Sequence, residues 1–200
     1  MIRKEKLEEL RDIINELKTV QVERRDILPK ESFLQSIPYN FTLNNGIVIP
    51  REKLIKGGND GSAAIIMPFI SDMEILTVIE PRVFTDLTVG VGFPAGYIES
   101  GEDCMLGAMR ELIEETGYVP SEITLIDSFY QDEGVSSALN HIFLAYGCEK
   151  KYKQKLDRDE VIRYMSFYYD ELFELERLGY IMGGNAKLAL EKSKRYVRRR

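Results

Sequence analysis

The sequence predicts an α/β chain: a mixed sheet with few helices, preceded by a small appendage of one helix and a β-hairpin. Three observations predict it. Apolar runs of strand length recur after residue 61, an acidic amphipathic helix interrupts them near residue 110, and a glycine-rich joint at residues 57 to 61 separates the two regions. Residues 1–57 are read as the appendage and 58–200 as the main domain.

Leu7, Leu10, Ile14 and Leu17 recur at spacings of three and four among charged residues, so residues 3 to 18 form an amphipathic helix. A coiled coil sustains its pattern over about 3–4 heptads. This helix is shorter and is assigned to packing on its own chain or on a partner. The run "TVQVERRDIL", residues 19 to 28, is read as a strand, with an irregular stretch after Pro29. In "FTLNNGIVIP", Asn45-Gly46 supplies the turn of a hairpin between two β-prone runs. Beyond the joint, "SAAIIMPFI" and "EILTVIEP" are expected to pair through a tight turn at Ser71-Asp72. The runs "LTVGVGFP", "EITLIDSFY", "LNHIFLAYG" and "EVIRYMSFYY" supply further strands. Helices are expected near "DELFELERLG" and "NAKLALEKSKRYVRRR".

With 200 residues and 44% hydrophobic content, the chain is long and apolar enough for a folded core. It carries 33 acidic against 27 basic residues, and the net charge of −6 argues against a general nucleic-acid binder. Cys104 and Cys148 lack C-x-x-C or histidine partner spacing, which leaves neither a zinc site nor a disulfide framework; a reducing cytoplasm is expected. No apolar run reaches 18 residues, and "MIRKEKLEELRDIINELK" is charged throughout, so neither a membrane span nor a signal peptide is expected. His141, the single histidine, reads as a hydrogen-bonded structural residue, and Cys104 as a packed thiol.

The stretch "GYIESGEDCMLGAMRELIEETGY", residues 96 to 118, places six acidic side chains in 23 positions. Ser100 is expected to cap a helix over 102 to 116, with Asp103 in a variant of the capping box and Gly117 as the stop. At 100° per residue, Met105, Leu106, Met109, Leu112 and Ile113 gather on one arc and Glu111, Glu114 and Glu115 on the opposite one. The small residues Cys104, Gly107 and Ala108 beside the anionic face leave room for a close approach. Like charges at these spacings each cost roughly a few tenths of a kcal/mol. A divalent cation turns that repulsion into ligation, and Mg²⁺ prefers carboxylate, water and phosphate oxygens. Glu111 and Glu115, one turn apart, reach one ion, and Glu114 or Glu102 a second. Arg110 pairs with Glu114 or Glu102 and orients a ligand. The loop "FPAGYIESGE", with Gly96, lets backbone approach a metal or phosphate closely.

This pattern, G-x5-E-x7-R-E-U-x-E-E-x-G-U with U bulky and apolar, resembles the Nudix box at Gly96, Glu102, Arg110, Glu111, Glu114, Glu115 and Gly117. Leu112 fits the first U, and Tyr118, aromatic where an aliphatic residue is commoner, the second. The resemblance implies a Nudix-type α/β/α sandwich around a mixed sheet. It also implies Mg²⁺- or Mn²⁺-dependent hydrolysis of a nucleoside diphosphate linked to X. The flanks, "LNNGIVIPREKLIKGGNDGSAAIIMP", "FPAGYIESGE", "DEVIRYMSF" and "GYIMGGNAKLAL", are similar to the ADP-ribose and ADP-sugar pyrophosphatase group. That group implies a nucleoside-diphosphate-sugar substrate, with AMP and a sugar phosphate as products, and a homodimer whose N-terminal β segment helps to build the pocket.

Carried over, the resemblance makes Glu111 and Glu115 metal ligands, together with the Ala95 carbonyl, while Glu114 and Glu102 complete or orient the cluster. Arg82 becomes a substrate contact. Glu160 becomes the catalytic carboxylate of a late loop, with Asp157 and Asp159 as alternatives. The chain departs from the group at Gly92, where an acidic residue is usual, at Arg163, where a glutamate often stands, and in "YQDEGVSS", which lacks a proline but offers Asp132 and Glu133. Alternative substrates are GDP-mannose, a coenzyme, a dinucleotide or a nucleoside triphosphate. A nucleotide-binding regulator without turnover is the alternative of another class, and it would be expected to have lost box glutamates that this chain keeps.

Overall fold

The computed structural model describes residues 2–23 and 32–197. Helix α1 (Lys4–Leu17) leads to a hairpin of β1 (Leu34–Thr42) and β2 (Val48–Lys56). The main body begins with β3 (Ala63–Pro68), β4 (Glu74–Pro81), β5 (Val89–Gly92) and β6 (Ala95–Tyr97), and α2 (Cys104–Thr116) follows. Then come β7 (Tyr118–Val119), β8 (Glu122–Tyr130), β9 (Leu139–Tyr146), β10 (Glu149–Lys150) and β11 (Arg163–Tyr168). Helices α3 (Tyr169–Arg177) and α4 (Gly184–Ser193) complete the described chain. Residues 19–23 are irregular, with Val20 98% exposed, so the expected strand over 19–28 does not form there; its remainder lies outside the described residues.

One sheet runs β6-β3-β9-β8, and it is mixed because β3 and β9 are parallel while the other pairs are antiparallel. Strand periodicity sorts its side chains to two faces. Ala64, Ile66, Phe143 and Ala145 meet Ala108 and Leu112 of α2 on one face. Ile65, Met67, Ile142 and Leu144 enter the larger core on the other, with Leu10 of α1, Leu172 and Leu175 of α3, and Leu190 of α4. The result is an α/β/α sandwich, in which a second sheet, β11-β4-β5, contributes Ile75, Ile79, Val91 and Phe167 to the larger core.

Strands β3 and β4 do not pair as the sequence suggests. A single bridge, Phe69↔Ile75, links them, and each is instead a central strand, β3 between β6 and β9 and β4 between β11 and β5. The reason is burial: β4 is buried from Ile75 to Ile79 and β3 from Ala64 to Pro68, so each needs neighbours on both edges and cover on both faces.

Helix α1 is fixed at its start by an ion pair. The Arg3 guanidinium donates to both oxygens of buried Glu171, at 2.9 and 2.8 Å, and its backbone N–H adds a third bond at 2.8 Å. The same guanidinium lies 4.0 Å from the Tyr168 ring centroid. Burial alone would raise the Glu171 carboxyl, but Arg3 and the backbone amides outweigh it and hold its pKa below the ordinary range. Arg3→Ala leaves this carboxylate buried and half-satisfied, which costs about 2–3 kcal/mol. Because the folded pKa is depressed, that stability is present above an ordinary carboxylate pKa of about 4.3 and is lost as pH falls. Denaturant melts of the variant are expected to show the deficit at pH 7 and its shrinkage toward pH 3.

The hairpin turns at residues 43–47, where the Ile47 N–H bonds Asn45 Oδ1 at 3.1 Å. Its base is tied to the body: the Leu54 N–H donates to Val135 O at 2.7 Å, Lys56 Nζ to Gln131 Oε1 at 3.0 Å, and the Phe33 ring lies 5.8 Å from that of Tyr97. Every residue of β1 is exposed.

Candidate active site

Helix α2 starts at Asp103, whose Oδ1 accepts the Met105 and Leu106 N–H groups at 3.0 and 3.2 Å, so Asp103 and not Ser100 is the cap. It ends at Gly117, which takes φ 71° and donates to Ile113 O at 2.7 Å. The core-facing strip is Ala108, Leu112, Glu115 and Thr116, while Met105 and Leu106 are exposed. A pattern based on hydrophobicity misplaces this face because a carboxylate, Glu115, stands inside the buried strip. Small residues line it because other groups come close: a Cβ on Gly107 would lie 2.9 Å from the Glu102 carboxylate.

Arg110 gathers the acidic face. Its Nε and one terminal nitrogen grip both oxygens of Glu102 at 2.9 Å, and the other terminal nitrogen reaches Glu111 at 2.7 Å and Glu114 at 3.2 Å. A bond to Tyr97 O at 3.0 Å fixes the guanidinium to the glycine loop. The Arg110 pair holds Glu102 below the usual carboxylate range. Burial raises Glu111, with Arg110 opposing it in part.

Glu115 is 5% exposed. Its Oε2 accepts the Ala95 N–H at 3.2 Å, and burial first, then the charges of Glu80 and Glu111, push its pKa up to about 9. Strand β6 brings the loop onto the helix by pairing with β3. Contact there is close: a Cβ on Gly96 would lie 2.0 Å from the Glu111 carboxyl carbon, so only glycine fits beside that carboxylate.

Two outlying groups join this cluster electrostatically. Glu160 adds its charge to Glu80, Glu111 and Glu115, from a turn in which its carboxylate accepts the Asp157 N–H at 3.0 Å. Asp157 and Asp159 make no ion pair or side-chain bond to the cluster, and Arg163 pairs with Glu16 of α1. Arg82 pairs with Glu80, and its chain lies over Gly90, where a Cβ would come within 2.8 Å. Glu80 carries no motif spacing in the sequence. An acid closing the apolar run "EILTVIE" was the available signal. Asp132 and Glu133 sit in the exposed loop packed on β2 and make no hydrogen bond or ion pair to the cluster. His141 Nδ1 is hydrogen-bonded to Ser128 Oγ at 2.8 Å, and burial lowers its pKa.

Six carboxylates thus face two guanidiniums. Among the described residues no three acids, histidines or cysteines converge as a closed metal site, and Arg110 holds three of the carboxylates. The donor set still suits a hard divalent cation: every ligand atom is oxygen, and buried Glu115 has one protein donor and like-charged neighbours.

A family model described as the NUDIX domain matches residues 60–185. The ADP-ribose pyrophosphatase of Bacillus subtilis is 32% identical over 134 residues, covering 66% of this chain and 70% of that protein. The GDP-mannose pyrophosphatase of Salmonella paratyphi B is 28% identical over 182 residues, covering 86% and 93%. In fold, the chain is similar to the crystal structure of an ADP compounds hydrolase, with a TM-score of 0.71, 19% identity, and 84% and 89% of the two chains covered. The buried acidic helix, the glycine loop laid against it and these matches agree, and the chain belongs to the Nudix hydrolase family.

Proposed function

We propose that the protein hydrolyses the pyrophosphate bond of a nucleoside diphosphate sugar, with ADP-ribose or an ADP-sugar as substrate and Mg²⁺ or Mn²⁺ as cofactor. The observation that carries this reading is Glu115, a carboxylate buried beside Glu111 and Glu80 at the end of a glycine loop, an arrangement that only a proton or a cation can neutralise. Glu111 and Glu115 hold the ion, with the Ala95 carbonyl, and Glu102 and Glu114 complete the set. Bound there, the cation supplies charge neutralisation for the pyrophosphate oxygens and acidity for the attacking water. Glu160 accepts the water's proton, and Arg82, steadied by Glu80, meets the substrate at the mouth of the site. Arg110 holds Glu102, Glu111 and Glu114 in place and joins them to the Gly96 loop, whose backbone faces the phosphates.

The hairpin completes the reading. Phe33, Leu34, Tyr39, Phe41, Ile47 and Val48 are each more than a third exposed, on a two-stranded ribbon that is marginal by itself. A second copy of the chain covers it, giving a homodimer.

A second reading, GDP-mannose as substrate, is favoured by the length of the match to the Salmonella enzyme, which takes in most of the chain. Comparing kcat/KM for ADP-ribose, ADP-glucose and GDP-mannose separates the two; preference for GDP-mannose by tenfold or more overturns the ADP-sugar assignment. Gly96→Ala forces the Glu111 carboxylate aside. It is expected to lower kcat by about 10²-fold while the melting temperature changes little; kcat within twofold of wild type contradicts the loop's role.

A further inference from the structure

An α-helix leaves its last carbonyls without partners. In α2 these carbonyls belong to the residues that carry the site, and one segment of chain, residues 150–155, takes them up. The Lys155 N–H donates to Glu114 O at 2.9 Å, Gln154 Nε2 to Glu115 O at 2.6 Å, and Lys150 Nζ to Thr116 O. The Lys151 and Tyr152 N–H groups share Gly117 O at 3.0 Å each. Fit is tight: a Cβ on Gly117 would lie 2.1 Å from Tyr152 O. Lys150 is held in turn by the Tyr164 hydroxyl at 2.7 Å and lies 4.6 Å from that ring's centroid, where its charge also complements the helix dipole.

Gln154 does more than cap. Its Nε2 also donates to Ile162 O at 3.3 Å, the residue before β11. Between these two anchor points runs the loop that carries Glu160. One side-chain amide therefore ties the backbone of Glu115 to the far end of the loop that brings Glu160 toward it. A helix end on an exposed surface needs no such device, since water satisfies it.

We infer that Gln154, supported by Lys150, is a positioning residue for hydrolysis, setting Glu115 against the loop of Glu160. The inference rests on the hydrolase reading above for its consequences in turnover. Gln154→Ala removes both bonds, and Gln154→Lys restores a donor that reaches the same carbonyls. Arg3→Ala serves as a control: it loosens the opposite end of the body, near Glu74, roughly 20 Å along β4 from Glu80 at about 3.3 Å per residue.

The test measures kcat and KM with the substrate that wild type turns over, and Mn²⁺ affinity by electron paramagnetic resonance. Gln154→Ala is expected to lower kcat about tenfold with KM within twofold, to weaken Mn²⁺ binding by a similar factor, and to be rescued at least half-way by Gln154→Lys. Arg3→Ala is expected to lose melting temperature and nothing else. Wild-type kcat and Mn²⁺ affinity in Gln154→Ala overturn the inference, as does a loss that merely follows melting temperature in both variants. If Gln154→Ala does not fold, Gln154→Asn, too short to span both carbonyls, is read by the same criteria. If wild type turns over no nucleotide sugar, the hydrolase reading fails on its own and the Mn²⁺ titrations alone judge the clamp, with equal affinities overturning it.

Discussion

Glu115→Gln is expected to abolish turnover, by on the order of 10³-fold, and to make the metal-free protein more stable. The two effects share a cause. The carboxylate is buried with one N–H donor and several like charges around it, so the folded metal-free chain holds it protonated up to about pH 9. An unfolded chain ionises the same group near pH 4.3. Between these values the folded state keeps a proton that the unfolded state releases, so this group's contribution to stability falls as pH rises through the window and levels off above it. Glutamine has no such dependence. In EDTA, the melting temperature of Glu115→Gln is therefore expected to exceed that of wild type by a margin that grows from pH 5 to pH 9 and passes about 5 °C by pH 8. Saturating Mn²⁺ is expected to raise the wild-type melting temperature and to leave the variant behind. A variant that melts with wild type at every pH in EDTA would show that Glu115 carries no burial penalty and would remove the physical basis for placing a cation there.

Replacing Tyr39 and Phe41 together with lysine is expected to convert the proposed dimer to a monomer and to lower kcat/KM at least tenfold. Both rings stand on the same side of β1, 6.1 Å apart, and both are exposed, so the charges leave the fold of the single chain undisturbed. Deleting the whole of residues 1–57 is a poorer experiment, because Leu10 and Leu17 of α1 sit in the larger core and Arg3 holds Glu171. Light scattering after gel filtration reads the mass, and kinetics on the same fractions read the pocket. A monomeric wild type, or a monomeric double variant with full activity, would dismiss the shared site.

Much of this arrangement was legible in the sequence, for physical reasons. Periodic leucines marked α1, Asn45-Gly46 marked the hairpin, and glycine spacing marked both ends of the loop and helix that carry the carboxylates. Those are local signals, and local geometry obeyed them. What stayed hidden is long-range. Nothing local in "SAAIIMPFI" and "EILTVIEP" says that two neighbouring apolar strands belong to different sheets. The buried face of α2 departs from its hydrophobic pattern because a carboxylate, Glu115, occupies a core position. Glu80 and Gln154 gave no spacing signal at all, since Glu80 reaches Glu115 only through its charge in the folded chain and Gln154 only where the 150–162 segment meets the end of α2.

The most direct measurement is a ³¹P NMR time course of ADP-ribose with the wild-type protein and Mg²⁺, repeated with excess EDTA and with Glu115→Gln. The expected result is replacement of the pyrophosphate resonances by two phosphomonoester signals, those of AMP and ribose 5-phosphate, in the Mg²⁺ sample alone. Unchanged pyrophosphate resonances, for ADP-ribose and for the other nucleotide sugars in turn, or cleavage that proceeds equally in EDTA, would contradict it.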